Sequence, residues 1–318
     1  LIVIAALLIV REAVSALQEP RMLDAPVLGL SINLVAAAIN GVWATILIRA
    51  GKKLDLSIDL ITRQDYGRLA EYDGLFIRET TAIDHHTYRF AKRAQAEGMA
   101  VIDDPDSIVK CTNKVYLHEL LSANRVPVPR TRVLQKGQLE NLPAEAVTYP
   151  AVVKIPDGSF SRGVHKADDR EQFEHYARAL LRESDLILVQ EFVPTEFDWR
   201  IGILNRQPIF ACQYFMSKHH WQIVKHGDGG AFTEGGARTL AVNDAPDAVV
   251  KTALAAANLI GDGFYGVDIK QFGERVVVIE VNDNPNVDPG VEDAVLGDRL
   301  YELILEDLAR RLDERRSR

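Results

Sequence analysis

One stretch near the C-terminal end, FYGVDIKQFGERVVVIEVNDNPN at residues 264–286, restricts this chain more than any other. It reads as two strands joined by a turn at Phe272–Glu274, since each apolar run is too short for a stable helix and Gly273 sits between them. Glu280 and Asn282 stand two apart on the second strand and share a face, while an antiparallel partner can set Asp268 opposite Glu280. An acid flanked by Val276–Ile279 and Val281 is costly to bury unless a cation lies against it. Three converging oxygen donors suit Mg²⁺, or Mn²⁺, with the remaining positions filled by water and phosphate oxygens. A hydrogen-bonded hairpin with solvent-facing acids is the plainer alternative, and Glu280 taken singly favours it.

From Leu54 onward, strands and helices alternate with short polar joins, the pattern of an α/β or α+β enzyme. Gly74–Arg78 reads as a strand, Asp84–Glu97 as a helix ended by Gly98, and Met99–Ile102 as the next strand. Asn113 starts a helix through Leu121, and the VPVPRT run breaks it. Phe173, Tyr176, Ala177, Leu180 and Leu181 follow the i, i+3, i+4, i+7, i+8 rule, so one helix face is apolar and covers a sheet. The strands on offer are Ala151–Ile155, Leu186–Phe192, Arg200–Leu204, Ile209–Phe215, Phe264–Lys270 and Arg275–Val281. A helix from Ala248 to Ile260 closes at Gly261, and Leu300–Leu312 forms a terminal amphipathic helix.

Two further segments carry chemistry. YPAVVKIPDGSFSRGV places Lys154 on a strand ahead of a loop with Gly158, Ser159, Ser161 and Gly163. Glycines let backbone N–H groups approach anionic oxygens, and Lys154 adds a point charge for a phosphate. A Gly/Ser turn of no function has the same composition. Lys114, at the start of its helix, is a second phosphate cation, with an exposed lysine as the plain alternative. LILVQEFVPTEFDWRI is an apolar strand ending at Gln190 and Glu191. Backbone groups from Glu191 to Val193 are placed to read an adenine edge, and Glu196 to accept from ribose hydroxyls. Arg200 fits a transferring phosphoryl group; a structural pair with Asp198, across Trp199, is equally compatible. Arg238, in GGART after a glycine-rich loop, is a clamp for an acyl phosphate or carboxylate, or merely follows a linker. His219, His220 and Trp221 border an amine site on this reading, and Arg78 a carboxylate.

A net charge of -8 and a pI near 5.6 argue against a bulk nucleic-acid surface. Cys111 and Cys212 are the only cysteines and are too few for a disulfide framework or a cysteine zinc site. The chain opens on the apolar run Leu1–Val10, and Ala25–Ile48 carries no charge over a length that can cross a bilayer as a helix. Arg49, Lys52 and Lys53 follow, which would leave the rest of the chain on the cytoplasmic side, tethered if 25–48 inserts. A buried Ala-rich helix is the alternative.

The order of these elements, Lys114, Lys154 with its loop, QEFV, Asp-x-Arg, Asp268 and Glu-x-Asn, resembles the ATP-grasp superfamily over about residues 110–290. CTNKVYLHELL, VQEFV, DWRIGI and EVNDNP look like its RimK branch, and FIRETTAIDHHTYRFAKRA is similar to the region just before the ATP-grasp part. The resemblance implies an α+β ATP-grasp fold at 111–314, a truncated α/β N-terminal domain at 54–110, and a hydrophobic helical segment at 1–53. It implies an ATP-dependent carboxylate–amine ligase that forms an acyl phosphate and adds a glutamate-like amino acid to a peptide C-terminus or small-molecule carboxylate. Lys114, Lys154, Gln190, Glu191 and Val193 would then bind ATP, Asp268, Glu280 and Asn282 the metal, and Arg200 would face the γ-phosphate. The stretch LIVREAVSALQEPRMLDAPVLGLSINLVAAAINGVWATILI resembles part of a cation diffusion facilitator. It lacks that family's intramembrane His and Asp pairs, and Asn33 and Asn40 are weak substitutes. The competing readings are a dipeptide or glutathione-like synthetase on the same fold, and a membrane-associated protein with a degenerate ATP-binding module. Homo-oligomerisation is compatible with all of them.

Overall fold

The computed structural model describes residues 41–157, 163–217, 221–226 and 232–317. It divides into two compact units, residues 1–49 and 50–318. Of the first, residues 41–49 are described and are helical. Among the described residues no helix is long and apolar enough to cross a membrane. The span expected at Ala25–Ile48 falls within them only at 41–48; Leu1–Val10 and most of the transporter-like stretch lie outside the described residues.

The second unit begins with a small α/β layer. Strands β1 (Gly74–Phe76) and β2 (Ala100–Ile102) pair in parallel, with helix α1 (His86–Ala96) between them in sequence. The helix buries Thr87, Phe90, Ala91 and Ala94, an i, i+3, i+4, i+7 stripe, against the strands. Both strands are shorter than expected: β1 ends at Phe76 rather than Arg78, so Arg78 lies beyond the ladder. Helix α2 (Pro105–Thr112) had no counterpart in the sequence reading. Asp104 caps it, accepting from the backbone N–H of Asp106 and Ser107 at 3.0 Å each, and Pro105 takes the first helical position. Asn113 caps α3 (Lys114–Ala123) in the same manner.

Two antiparallel sheets follow. The first has the order β3-β6-β4-β5, from β3 (Thr131–Gln135), β4 (Ala151–Lys154), β5 (Val164–Ala167) and β6 (Leu186–Glu191). Helix α4 (Arg170–Glu183), capped by Asp169, covers it with Phe173, Ala177, Leu180 and Leu181. These four pack with Val153, Ile187 and Val189 in one core.

The second sheet contains β7 (Phe197–Leu204), β8 (Gln207–Phe215), β11 (Ala237–Leu240), β12 (Phe264–Phe272) and β13 (Arg275–Asn282), in the order β11-β8-β7-β12-β13. Strands β9 (Val224–His226) and β10 (Phe232–Glu234) form a separate hairpin. Helix α5 (Asp247–Ile260) lies over the large sheet, where Val249, Ala253, Ala256 and Ala257 join Ile201, Val267 and Val278 in the main core. The Ala-rich face lets the helix pack close to the strands. Helix α6 (Asp298–Arg316) extends beyond the expected Leu300–Leu312 at both ends, its last turns held by Arg310 and Arg311 on Asp307.

The small layer is tied to the large sheet by buried polar contacts. The Ser107 hydroxyl lies 2.7 Å from the Tyr265 hydroxyl, which also accepts from Gly263 N at 3.0 Å. Lys110 Nζ donates to Ile260 O at 2.6 Å, placing a cation on the carbonyl end of α5.

Candidate active site

The site lies where α3 and the two sheets meet. A narrow cleft there is lined by Lys114, Leu117 and His118 from α3, Lys154, Leu188 and Gln190 from the first sheet, and Val278 and Ile279 from β13. Its walls are apolar, with the Lys114 and Lys154 cations and the Gln190 amide among them.

Lys154 ends β4 and is only 6% exposed. Its Nζ donates to Gln190 Oε1 at 3.2 Å, its one bonding contact among the described residues. Burial therefore pushes its pKa down to about 8, against a pull from Glu280 in the other direction. Lys114 approaches from α3, and its Nζ lies 2.9 Å from Glu280 Oε1. Glu280 is held below the usual carboxylate range: burial works against the charge, and Lys114, then Lys154 and Arg200, outweigh it.

The hairpin forms as its sequence dictates. Asp268 stands opposite Glu280 in the β12/β13 register, and a bulge follows at Asp268/Ile269. Asn282 Nδ2 donates to Asp268 Oδ2 at 3.1 Å and to Gly266 O at 3.3 Å. A Cβ on Gly266 would stand 2.7 Å from the Pro285 Cβ and 3.3 Å from Arg200 Cδ, so glycine is what lets the NDNP turn and the arginine stem close over the strand. Two carboxylates and an amide thus share one end of the hairpin, an all-oxygen donor set that fits a hard divalent cation.

Arg200 and Asp198 do not pair with each other, which corrects one alternative drawn from the sequence. Arg200 forms a fork with Asp268 at 2.7 and 2.8 Å, whereas Asp198 accepts from Lys270 Nζ at 2.6 Å. Strand β7 contributes Asp198 and Arg200, and β12 contributes Asp268 and Lys270, so opposite charges face each other twice across one ladder. Burial disfavours the Arg200 charge, but Asp268 beside it keeps the guanidinium raised above its ordinary value. Lys270 escaped the sequence reading although its spacing from Asp268 placed both on one face. Tyr214 and Glu292 escaped as well: the Arg200 guanidinium stacks 5.0 Å from the Tyr214 ring, and the Tyr214 hydroxyl donates to buried Glu292.

The hinge residues sit where β6 leaves its sheet. Gln190 is buried and bridges Lys154 to Thr131 Oγ1, at 3.0 Å from the latter. The Glu191 side chain turns away toward Arg130 Nε at 2.7 Å and Arg275, so only its backbone is placed for a base edge. Val193 is buried, whereas Glu196 is exposed. Phe192 meets Trp221 edge-on at 6.0 Å.

Gly158, Ser159 and Ser161 lie outside the described residues, as do His219 and His220. Gly163 is described: it turns with φ +65° and packs on Ile155, a conformation suited to glycine. Arg238 is exposed on β11, the edge strand next to β8 and not next to the hairpin. Arg78 lies beyond β1 and donates to Asn284 Oδ1 at 2.6 Å, just after the hairpin.

Residues 111–295 match the family described as the RimK-like ATP-grasp domain. The chain is 31% identical over 194 residues to the alpha-aminoadipate–LysW ligase LysX of Sulfolobus acidocaldarius, covering 58% of this chain and 66% of that protein. It is 28% identical over 229 residues to a probable alpha-L-glutamate ligase of Thioalkalivibrio sulfidiphilus, covering 71% and 73%. A RimK domain ATP-grasp protein of Sphaerobacter thermophilus shares the fold, with a TM-score of 0.62 at 17% identity over 83% of this chain and 94% of that one.

Proposed function

Because the chain belongs to the RimK-like ATP-grasp family, we propose that it joins a glutamate-like amino acid to the carboxylate of a peptide C-terminus or small molecule. It is an ATP-dependent ligase that forms a carbon–nitrogen bond between a carboxylate and an amine. The names of its relatives, an alpha-aminoadipate–LysW ligase and a probable alpha-L-glutamate ligase, support the choice of an acidic amino acid.

One observation supports the assignment of roles: two separated ammonium groups, Lys114 and Lys154, line one cleft, and Lys114 pairs with Glu280 on the hairpin whose Asn282 donates to Asp268. On this reading Lys114 and Lys154 grip phosphates, the backbone of Glu191 to Val193 takes the adenine, and Glu196 the ribose. Mg²⁺ or Mn²⁺, held by Asp268, Glu280 and Asn282, neutralises phosphate charge when bound. Arg200, fixed by Asp268 and by the Tyr214 ring, faces the γ-phosphate. A substrate carboxylate oxygen attacks the γ-phosphorus and ADP leaves; the amine nitrogen then attacks the acyl carbon, phosphate leaves, and the nitrogen gives up a proton. The chain needs no nucleophile of its own, only positioning and charge. On the same reading Arg238 and the small α/β layer would serve the acceptor, and the reaction would run in the cytoplasm, where ATP is available.

The test is phosphate release from ATP and Mg²⁺ by the full chain across a panel of amino acids and carboxylates. Turnover should require both an acidic amino acid and an acceptor, and should fall at least about 100-fold in Lys154→Ala and in Glu280→Ala. Turnover that persists in both variants would overturn these roles, and binding of ATP without turnover under any pairing would overturn the substrate assignment.

A further inference from the structure

Apart from the cleft, the described residues bring one more set of metal-ligating side chains together. Glu79 lies just after β1, and His85 and His86 start α1; one ligand atom from each lies within 4.8 Å of the other two. We propose that Glu79, His85 and His86 form a second metal site, for Zn²⁺ or a similar divalent transition metal, with its fourth position open to solvent. The site stands independently of the ligase chemistry.

The donor set decides the class of ion. Two imidazole nitrogens and one carboxylate oxygen suit Zn²⁺ and its first-row neighbours, whereas Mg²⁺ is held by oxygen alone. Bonds of about 2.0–2.1 Å set ligand atoms of a tetrahedral zinc site roughly 3.3 Å apart. His86 Nε2 and Glu79 Oε2 already stand at 2.8 Å, and a ligand atom of each of the three residues lies within 4.8 Å of the other two. His86 can keep its one proton on Nδ1 and turn the Nε2 lone pair to the ion. Glu79 is 61% exposed and His86 23%, which leaves an entry path.

A partner fixes His85 as well. The Thr87 hydroxyl has a single proton, and Thr80 O accepts it at 2.9 Å. The Thr87 hydroxyl stands 2.9 Å from His85 Nδ1 and its backbone N–H faces the same nitrogen from 3.5 Å, so Thr87 holds the ring in place. With Nδ1–H donating to that hydroxyl, Nε2 would be the lone-pair nitrogen, as in metal sites whose histidines donate their other N–H to a neighbour. Thr87 is 4% exposed and cannot turn away.

Capping alone does not explain these histidines. Histidine is not among the favoured N-cap residues, and the Thr87 backbone N–H reaches the His85 ring only at 3.5 Å, against 3.0 Å for both bonds of the Asp104 cap on α2. The loop is also anchored where a site would need rigidity. Asn284 Nδ2 donates to Glu79 O at 2.7 Å, two residues beyond Asn282, so the site borders the exit of the hairpin.

The experiment uses the full chain, equilibrated with ZnCl₂ in excess Mg²⁺ and washed, with metal content then measured; a parallel titration with Co²⁺ reads the visible absorption of a four-coordinate ion. One equivalent of Zn²⁺ per chain should remain. Glu79→Gln, His85→Gln and His86→Gln should each weaken binding at least about 10-fold, and Thr87→Val about 10-fold, the scale of a lost supporting contact. Glu280→Gln should leave Zn²⁺ content unchanged. Melting of the metal-free variants checks their fold, and Glu79→Gln, altering an exposed side chain, decides the matter if a histidine variant fails to fold. No retained Zn²⁺ in the parent chain, or equal retention in Glu79→Gln, overturns the proposal.

Discussion

Replacing Lys154 with methionine should stabilise the ligand-free protein while abolishing nucleotide binding. The ammonium is buried with, among the described residues, only the Gln190 amide oxygen at bonding distance, and burial pushes its pKa down from 10.5 to about 8. That lowering, at about 1.4 kcal/mol per pKa unit, makes the charged form cost roughly 3 kcal/mol in the folded state. Methionine fills nearly the same volume without that cost, but leaves Gln190 Oε1 short of a donor, worth about 1–2 kcal/mol. The net gain is about 2 kcal/mol at pH 7, or about 4 °C in melting temperature for a chain of this size. The sign also predicts a pH dependence. Because the folded pKa lies below the unfolded one, the unfolded chain binds more protons between pH 8 and 10.5, so the parent protein gains stability as pH rises through that window. The gap between parent and Lys154→Met should close over the same interval. Thermal melts of both proteins at pH 7 and pH 10, with and without saturating ATP and Mg²⁺, make the measurement. Nucleotide should reverse the ranking, since only the parent gains the binding free energy. A variant that melts below the parent without nucleotide, or a gap independent of pH, would refute the reasoning.

Asp268→Asn removes the carboxylate that pairs with Arg200 and should cost about 3 kcal/mol in urea denaturation, because it leaves a guanidinium desolvated without its partner. Tyr265→Phe deletes the hydroxyl that joins Ser107 to Gly263, and should cost about 1–2 kcal/mol while nucleotide affinity, read by fluorescence or calorimetry, stays unchanged.

The hairpin was the most legible part of the chain, because a period-two pattern around Gly273 leaves little freedom of register. Once Asp268 stands opposite Glu280, one face carries the acids whatever packs around it. The helix bearing Phe173, Ala177 and Leu181 was legible for the corresponding reason at a period of 3.6. Helix α2 was not, since it has eight residues and its start is marked by an Asp-Pro pair that reads equally as a turn. Partner choice was the larger gap. Alternation tells which face Arg200 and Asp198 occupy, but both share that face, and only the neighbouring strand decides that Arg200 takes Asp268 and Asp198 takes Lys270. Lys114 and Glu280 meet because α3 docks on β13, a tertiary event with no local signature. Glu79, His85 and His86 were in view within the ETTAIDHH motif, yet nothing in the spacing said that the loop folds back to bring the glutamate against the rings.

The pairing pattern explains how so many buried charges coexist before any ligand arrives. Lys114 holds Glu280 and Arg200 holds Asp268, so each anion proposed to face a metal is matched by a cation proposed to face a phosphate. Binding of a metal–triphosphate complex can then proceed as an exchange of partners. On the proposed roles, Glu280 would exchange an ammonium for a divalent ion while Lys114 would exchange a carboxylate for a phosphate oxygen. Removing one partner breaks that symmetry, which is why loss of Asp268 should be felt in stability as well as in turnover. Lys154 is the exception, with an amide instead of a carboxylate beside it. On the proposed roles, an incoming phosphate would offset that burial cost, so a group that destabilises the free protein would also favour binding.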